Sequence, residues 1–401
     1  MSTTHNRLRL SGTNLKRVAD HNQRTTLHAI RVHGPLTRIE LANITGLTPP
    51  AIANITRRLL VEGFIGEAGR RRGSRGQPPT DLVINPDACY AIGINVDRDH
   101  VTAALVNFVG RTVARRSWET AFALPNEVAT FCRTSIEEML IESDIDPGKI
   151  VGIGIAKPDD LGVIELPGRP SSYSEWEAVD WQALFGDPIE LPVFVENDSA
   201  AAAMGEQQLG LGHKYPSFFY ILVSWGLGGG LVVDGNYFRG AEGRSGEIGF
   251  LLSRDPDGSE TPVQKLASLS GLSKRVGRLG FQLSDIGHAD AELNAAVEDW
   301  VDCAADALLE PVMAINCLIN PAAILIGGRL PKNLVDSLTR KLTVRLRERA
   351  HHLPAIAPVR RASLAEDAPA VGAATLPFAH FLLPTSASLW RPMKLPASEA
   401  A

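Results

Sequence analysis

From residue 89 onward the chain alternates short apolar runs with longer helical segments, and this alternation limits the fold more than any other feature. Each run is bounded by Gly, Pro or Asn, as buried strands usually are. The runs are YAIGINV, HVTAALVNF, KIVGIGIA, PVFVEN, FFYILVSW, GGLVVD and AAILIGG, and the helical segments span 126–143, 199–211, 262–280, 290–319 and 331–351. Strands alternating with helices predict an α/β body, and a length of about 320 residues predicts more than one lobe.

The net charge of -5 is unevenly distributed along the 401 residues. Residues 1–80 hold 13 Lys and Arg against 4 Asp and Glu, whereas the remaining chain holds 27 against 41. A basic segment on an acidic body suggests contact with nucleic acid or a membrane surface. No stretch approaches the roughly 18 consecutive apolar residues of a spanning helix, and the polar start MSTTHNRLRL does not resemble a secretory signal. We therefore expect a cytoplasmic protein.

The four cysteines, Cys89, Cys132, Cys303 and Cys317, are far apart in the sequence. None belongs to a Cys-x-x-Cys pair or to a Cys/His cluster with zinc spacing. We expect reduced thiols, because disulfides are rare in the cytosol.

Within the basic segment, a helix over 21–33 is followed by two short helices that are joined by a Gly-containing turn. Thr37 and Glu40 predict a capping box at the start of the second helix, and Gly46 ends it. The third helix follows Thr48, and its residues away from the apolar face are Pro50, Ala51, Asn54, Arg57 and Arg58. This is a helix-turn-helix pattern. We expect Thr48 to Arg58 to lie in the major groove of DNA, with Arg57 and Arg58 on phosphates.

The next segment contains two possible strands, Phe64-Ile65 and Leu82-Ile84, which would form a wing beside the helices. The run RRRGSRGQPP between them is either a solvated hinge or a second DNA contact. Its candidate residues for phosphate or minor-groove contact are Arg70, Arg71, Arg72, Arg75 and Gln77.

Three segments of the body carry polar or glycine-rich motifs, and each has two interpretations. Asn197 and Asp198 follow an apolar strand, where α/β proteins bind ligands, but Asp or Asn at a helix start is also common as a cap of the next helix. The glycine-rich run Trp225–Gly230 could approach a phosphate or form a simple hairpin. Glu247 lies among glycines, where its carboxylate could bind hydroxyl groups or belong to an ordinary surface loop.

Taken in order, these pieces resemble the ROK family (repressor, open reading frame, kinase), in the branch where a DNA-binding domain precedes a sugar-kinase-like body. The resemblance covers about residues 14–380. It rests on the helix-turn-helix segment, VGIGIAKPDDLGVI, VFVENDSAAAAMGE, GLGGGLVVDGNYFRGAEGRSGEIG, NPAAILIGGRL and VGAAT.

The resemblance implies an actin-like ATPase fold with two RNase-H-like α/β lobes and a sugar in the cleft between them. The positions of the family's sugar contacts correspond to Asn197, Asp198, Glu247 and Gln264. In kinase members the residue at Asp198 acts as the base toward a sugar hydroxyl.

Several family features are absent from this sequence. The first phosphate loop, Asp-x-Gly-Gly-Thr in the family, reads Asn95-Val96-Asp97-Arg98-Asp99, so both glycines are lost and two acidic residues are added. Like charges at close range repel, which disfavours ATP. The second loop reads Ser224-Trp225-Gly226 instead of Gly-Thr-Gly. Phe250 replaces a zinc-ligating His, and the following cysteine motif is missing. We therefore predict no kinase activity, no bound ATP and no zinc, with Asp198 a remnant of the base position.

The resulting prediction is a sugar-responsive transcriptional regulator, most simply a repressor. An all-α winged helix-turn-helix with a basic linker is expected over 1–80, and the ROK body over 81–401. Within the body, the first lobe covers about 81–199 plus a C-terminal helix, and the second about 200–365. Expected partners are a palindromic DNA operator, a sugar-like effector and further copies of the chain in a homodimer or homotetramer. The alternatives are a sugar kinase with an added DNA-binding domain and a repressor that senses no ligand.

Overall fold

The computed structural model describes residues 15–70, 79–163, 169–255 and 257–384. The described residues up to Ala88, together with those from Ala379, form one compact unit, and Cys89–Phe378 form the other. This division lies later than the expected end at residue 80, because a strand that begins at Thr80 pairs within the first unit.

The first unit consists of three helices and a two-stranded antiparallel ribbon. The helices are α1 (Leu15–His33), α2 (Arg38–Thr45) and α3 (Pro49–Val61), and the strands are β1 (Ile65–Arg70) and β2 (Thr80–Ile84). The expected capping box is present, since Thr37 and Glu40 each accept a hydrogen bond from the other's backbone N–H. Gly46 ends α2 with a positive φ of 69°. The apolar face of α3 is buried at Ile52 and Leu59.

The first lobe of the second unit is a five-stranded sheet with one long helix. In chain order it contains β3 (Tyr90–Val96), β4 (His100–Asn107), β5 (Thr112–Glu119), α4 (Pro125–Glu142), β6 (Ile150–Lys157) and β7 (Val193–Asn197). The strand order is β5-β4-β3-β6-β7, with β3, β4 and β5 antiparallel and β6 and β7 parallel to β3. Parallel β3, β6 and β7 therefore end at one edge, and Asn197 lies there.

The second lobe repeats this strand order. It contains α5 (Asp198–Leu209), β8 (Phe218–Val223), β9 (Leu227–Val233), β10 (Asn236–Tyr237), β11 (Leu252–Arg254), β12 (Glu260–Pro262), α6 (Gln264–Ala267), α7 (Leu269–Gly277), α8 (Ala291–Leu318), β13 (Ala323–Gly328), α9 (Lys332–Glu348) and β14 (Val359–Arg361), and α10 (Ala368–Phe381) follows. Its sheet runs β10-β9-β8-β13-β14, again three antiparallel strands followed by two parallel ones. None of the helices in the described ranges combines the length and apolar character needed to cross a bilayer.

Helices α5 and α10 cross at close range, and glycines make the crossing possible. A Cβ on Gly372 would overlap the carbonyl oxygen of Ala201, and Gly205 approaches Gly372 from the other helix. Helix α10 also contacts the first sheet, where a Cβ on Gly93 would overlap the carbonyl oxygen of Ala370. Helix α5 contacts β9 of the second sheet, so these two helices join the lobes.

Candidate functional site

The junction of β7 and α5 carries the two polar residues singled out from the sequence. Asn197 caps α5, because its Oδ1 accepts hydrogen bonds from the backbone N–H groups of Ser199 and Ala200 at 2.9 and 3.1 Å. Asp198 is the first residue of the helix and is only 8% exposed. Its Oδ1 accepts from the Ser199 N–H at 2.6 Å and from the Ser199 hydroxyl at 3.1 Å. The capping interpretation of Asn197 is thus correct, and it places Asp198 at a helix start inside the cleft.

Burial and the charge of Asp97 raise the pKa of Asp198 to about 7. Loss of hydration destabilises the charged carboxylate, and a nearby like charge adds to that effect. Asp198 therefore changes protonation near neutral pH, where it can donate a hydrogen bond to a ligand or accept one.

All four residues that the resemblance assigns to ligand binding line one pocket, namely Asn197, Asp198, Glu247 and Gln264. Glu247 follows a loop that packs against β9, since Gly246 has a φ of 86° and a Cβ there would overlap the Gly229 carbonyl. The Glu247 carboxylate is 2.8 Å from the Arg244 guanidinium. Gln264 is the first residue of α6. This loop is therefore part of the pocket wall.

The segment that resembles the first phosphate loop forms an internal ionic network. Asp99 accepts hydrogen bonds from His100 at 2.8 Å and from Arg329 at 2.6 Å. Burial by itself would raise the pKa of Asp99. The hydrogen bond and charge of His100 and the charge of Arg329 outweigh this effect, so the pKa of Asp99 is lowered overall. The pKa of Asp97 is raised by burial and by Asp99. The two carboxylates are therefore not bare, because His100 and Arg329 pair with Asp99 and burial disfavours the charged form of Asp97.

Asp97, Asp99 and His100 also bring potential metal-ligand atoms within 4.8 Å of one another. Both nitrogens of His100 already contact protein partners, Asp99 Oδ1 at 2.8 Å and Asn95 Nδ2 at 2.9 Å. The second Asp99 oxygen is bonded to Arg329. A cation would have to displace a guanidinium, so these residues suit an ion-pair network better than a metal site.

The glycine-rich run between β8 and β9 is a hairpin that packs on α5. Ser224, Trp225 and Gly226 make the turn, since Val223 pairs with Leu227. Gly228 lies in β9, where a Cβ would overlap the Ser199 side chain. The run thus allows close helix packing and also lines the pocket at Gly226, Gly228 and Gly229. The Trp225 side chain packs against the second-lobe core.

In the first unit, the predicted DNA contacts on α3 are exposed at Thr48, Pro50, Asn54, Arg57 and Arg58, and half-buried at Ala51. Arg57 donates to the Asn54 side chain at 3.4 Å, so the two side chains lie together on the outer face. Arg58 pairs with Glu62 at 2.7 Å, which offsets its charge. Arg70 ends β1, and Arg71, Arg72, Arg75 and Gln77 lie outside the described residues.

A comparison with protein-family models matches residues 91–379 to the ROK family. This span covers both lobes and every residue of the pocket. The chain belongs to the ROK family.

Similar proteins extend the match into the first unit. The protein y4fQ of Sinorhizobium fredii is 31% identical over 372 residues, which cover 89% of this chain and 90% of that protein. The xylose repressor of Bacillus subtilis is 25% identical over 382 residues, with 90% and 96% covered. The crystal structure of a ROK family transcriptional regulator, a homologue of the Escherichia coli MLC protein, superposes with a TM-score of 0.67 at 22% identity. It covers 91% of this chain and 97% of its own, so the two chains share this fold.

Three charged residues of this ROK pocket were not found from the sequence: Arg98, Asp159 and Asp160. The Arg98 side chain is 9% exposed and donates to Asp160 at 2.5 Å, while its Nε has no partner among the described residues. Asp159 lies 3.7 Å from Arg244 of the opposite lobe. The position of Pro158-Asp159-Asp160 directly after β6 was the available signal, because it parallels that of Asn197 after β7.

Proposed function

We propose that this protein is a transcriptional repressor whose affinity for DNA is changed by a sugar or sugar derivative. One observation supports this most directly: a single chain combines an exposed, polar α3 with a pocket lined by Asn197, Asp198, Glu247 and Gln264. The name of the xylose repressor from Bacillus subtilis is consistent with this pairing.

In this proposal the first unit is a winged helix-turn-helix, with α3 as the recognition helix and the β1–β2 ribbon as the wing. Pro50, Ala51 and Asn54 face base edges, whereas Arg57 contacts phosphate. Because Arg58 is paired with Glu62, we assign it a smaller share of the phosphate contacts. A homodimer or homotetramer would present two such units to a palindromic operator.

The pocket supports a ligand rich in hydroxyl groups. Carboxylates and amides at Asp198, Glu247, Asn197 and Gln264 offer acceptors, and Arg98 offers an unused donor on a buried guanidinium. A buried polar group without a partner carries a free-energy cost, so a ligand oxygen that satisfies it gains affinity. The ligand changes DNA binding only if it prefers one arrangement of the protein over the other.

The test is a mobility-shift titration with DNA from immediately upstream of the coding sequence, at two salt concentrations. D-xylose, D-glucose, N-acetylglucosamine and their phosphates are added in turn. We expect a sequence-selective, salt-sensitive complex that one of these compounds weakens. No selective complex would refute DNA regulation, and a complex that no compound alters would favour a repressor that senses no ligand.

A sugar kinase is the second candidate, because a carboxyl whose pKa is about 7 is suited to act as a general base. Against it stand Arg98, which lies in the segment resembling the phosphate loop, and Arg329, which pairs with Asp99 of that segment. Both guanidinium groups already bind carboxylates. We propose that the protein has no kinase activity and needs neither ATP nor zinc. Magnesium-dependent ATP turnover on the same sugars, lost in Asp198→Asn, would contradict this.

A further inference from the structure

Arg329 joins the two lobes through its side chain. It follows β13 in the second lobe, where its backbone N–H donates to Val223 at 2.9 Å. Its guanidinium donates to Asp99 at 2.6 Å and to both oxygens of Glu119 at 2.8 and 2.9 Å. Both carboxylates belong to the first lobe, one in the β3–β4 turn and the other at the end of β5. One cation therefore bridges two carboxylates across the cleft.

The acceptor side of this bridge is held in place. Asp99 is fixed by His100, and the Asp99 carbonyl accepts from the Thr120 backbone at 3.1 Å, which connects the turn to the end of β5. The side chains of Arg329 and Asp99 are 22% and 20% exposed. Water competes less with such a partly buried pair than with a surface pair.

Two further ion pairs between the lobes, among the described residues, lie near the pocket and involve more exposed arginines. Arg239 reaches Glu196 at 2.5 Å with a side chain that is 58% exposed, and Arg244 reaches Asp159 at 3.7 Å with one that is 51% exposed. The Glu196 side chain is 8% exposed, but solvent reaches both arginines, so these two pairs contribute less to the free energy of closing than a pair shielded on both sides. Ion pairing between the lobes is thus better shielded from solvent at Arg329 than at Arg239 and Arg244.

We propose that the Arg329 side chain forms an ion-pair bridge between the lobes, which holds them together at the segment resembling a phosphate loop. The cleft then opens only on the side that carries Glu247 and Arg244. A ligand in the pocket therefore moves this side, while the lobes stay joined at Arg329 and Asp99.

Pulsed electron paramagnetic resonance on the free full-length chain tests this, with no DNA and no sugar present. One spin label is attached to the exposed Cys317 in the second lobe, and the other to Ile141→Cys on the first, where Ile141 is 80% exposed. Cys303→Ser removes a half-exposed thiol, while Cys89 and Cys132 are buried. The readout is the distribution of distances between the lobes.

We expect Arg329→Gln to broaden this distribution toward longer distances, with about a tenfold rise in the ratio of open to closed molecules. Glu119→Gln should act in the same direction but more weakly, since that side chain is 68% exposed. Arg345→Gln is the matched control, because Arg345 is 20% exposed and bridges Asp302 and Asp306 within one lobe.

An unchanged distribution in folded Arg329→Gln would overturn the proposal, as would equal broadening in Arg345→Gln, which would indicate general loosening. Circular dichroism checks that Arg329→Gln is folded. If it is not, the distance distribution of Glu119→Gln alone tests the proposal, and an unchanged distribution in that variant would overturn it. Because neither DNA nor sugar is added, failure here is distinguishable from failure of the repressor proposal.

Discussion

Replacing Asp198 with Asn should stabilise the protein at neutral pH, although Asp198 lines the ligand pocket. Burial and Asp97 raise its pKa from 3.8 to about 7. Since one pKa unit corresponds to about 1.4 kcal/mol, ionising this carboxyl costs roughly 4 kcal/mol more in the folded chain than in the unfolded chain. The attraction of Arg98, which lowers the pKa of Asp198, is already included in this value.

The sign follows from proton binding. Between about pH 4 and pH 7 the unfolded chain has released this proton and the folded chain retains it, so raising the pH favours unfolding. Asp198→Asn cannot ionise, yet its amide oxygen can still accept from the Ser199 backbone. The stability difference between variant and wild type should therefore be small at pH 4, grow up to pH 7 and then remain constant.

Thermal unfolding followed by circular dichroism from pH 4 to pH 8.5 measures this difference. We expect the variant to melt several degrees above the wild type at pH 8. Asp302→Asn is the control, because the hydrogen bond from Lys341 lowers the pKa of Asp302. Its stabilising effect is complete above pH 3.8, so that variant should show a constant deficit from pH 5 to 8.5. A pH-independent difference for Asp198→Asn would refute an elevated pKa.

Two further variants separate DNA recognition from ligand response. Asn54→Ala should reduce discrimination at one operator position by about 1–3 kcal/mol, as measured by competition with single-base variants. The control is Asn43→Ala, because Asn43 is exposed on α2, and this variant should leave the discrimination unchanged. Equal selectivity in both variants would show that Asn54 does not contact bases. Glu247→Ala should raise the sugar concentration needed for release from DNA about tenfold or more, with unchanged DNA affinity in the absence of sugar. Glu242→Ala, exposed in the same loop, is its control, and a normal sugar response in Glu247→Ala would place the ligand elsewhere.

The strands that the sequence predicted well are those buried on both faces. The run YAIGINV coincides with β3, Tyr90–Val96, because every residue of that strand is buried. Strand β5, Thr112–Glu119, was not predicted, since it lies at a sheet edge and its burial alternates. Arg115 of this strand pairs with Asp367 in the turn before α10, and Arg116 pairs with Glu142 of α4. Edge strands with charged residues lack the apolar signal on which sequence prediction depends.

The pocket was predictable where local sequence determines position. Asn197 and Asp198 stand at a strand-to-helix junction, which fixes them at the edge of the sheet. Arg98 and Arg329 were not predicted as parts of the cleft, because their partners are distant in the chain and become visible only after the lobes pack. Arg329 and Asp99, for example, are 230 residues apart. Local patterns carry no information about such pairs.

The crossing of α5 and α10 constrains how such a protein can change over generations. At Gly372 even one added methyl group would overlap the carbonyl of Ala201, so this position tolerates no side chain. Glu247 and Gln264, by contrast, lie on a loop and a short helix, where substitution alters the pocket and leaves the crossing intact. Descendants of this chain can therefore change the pocket through a few substitutions, while the joint between the lobes stays as it is.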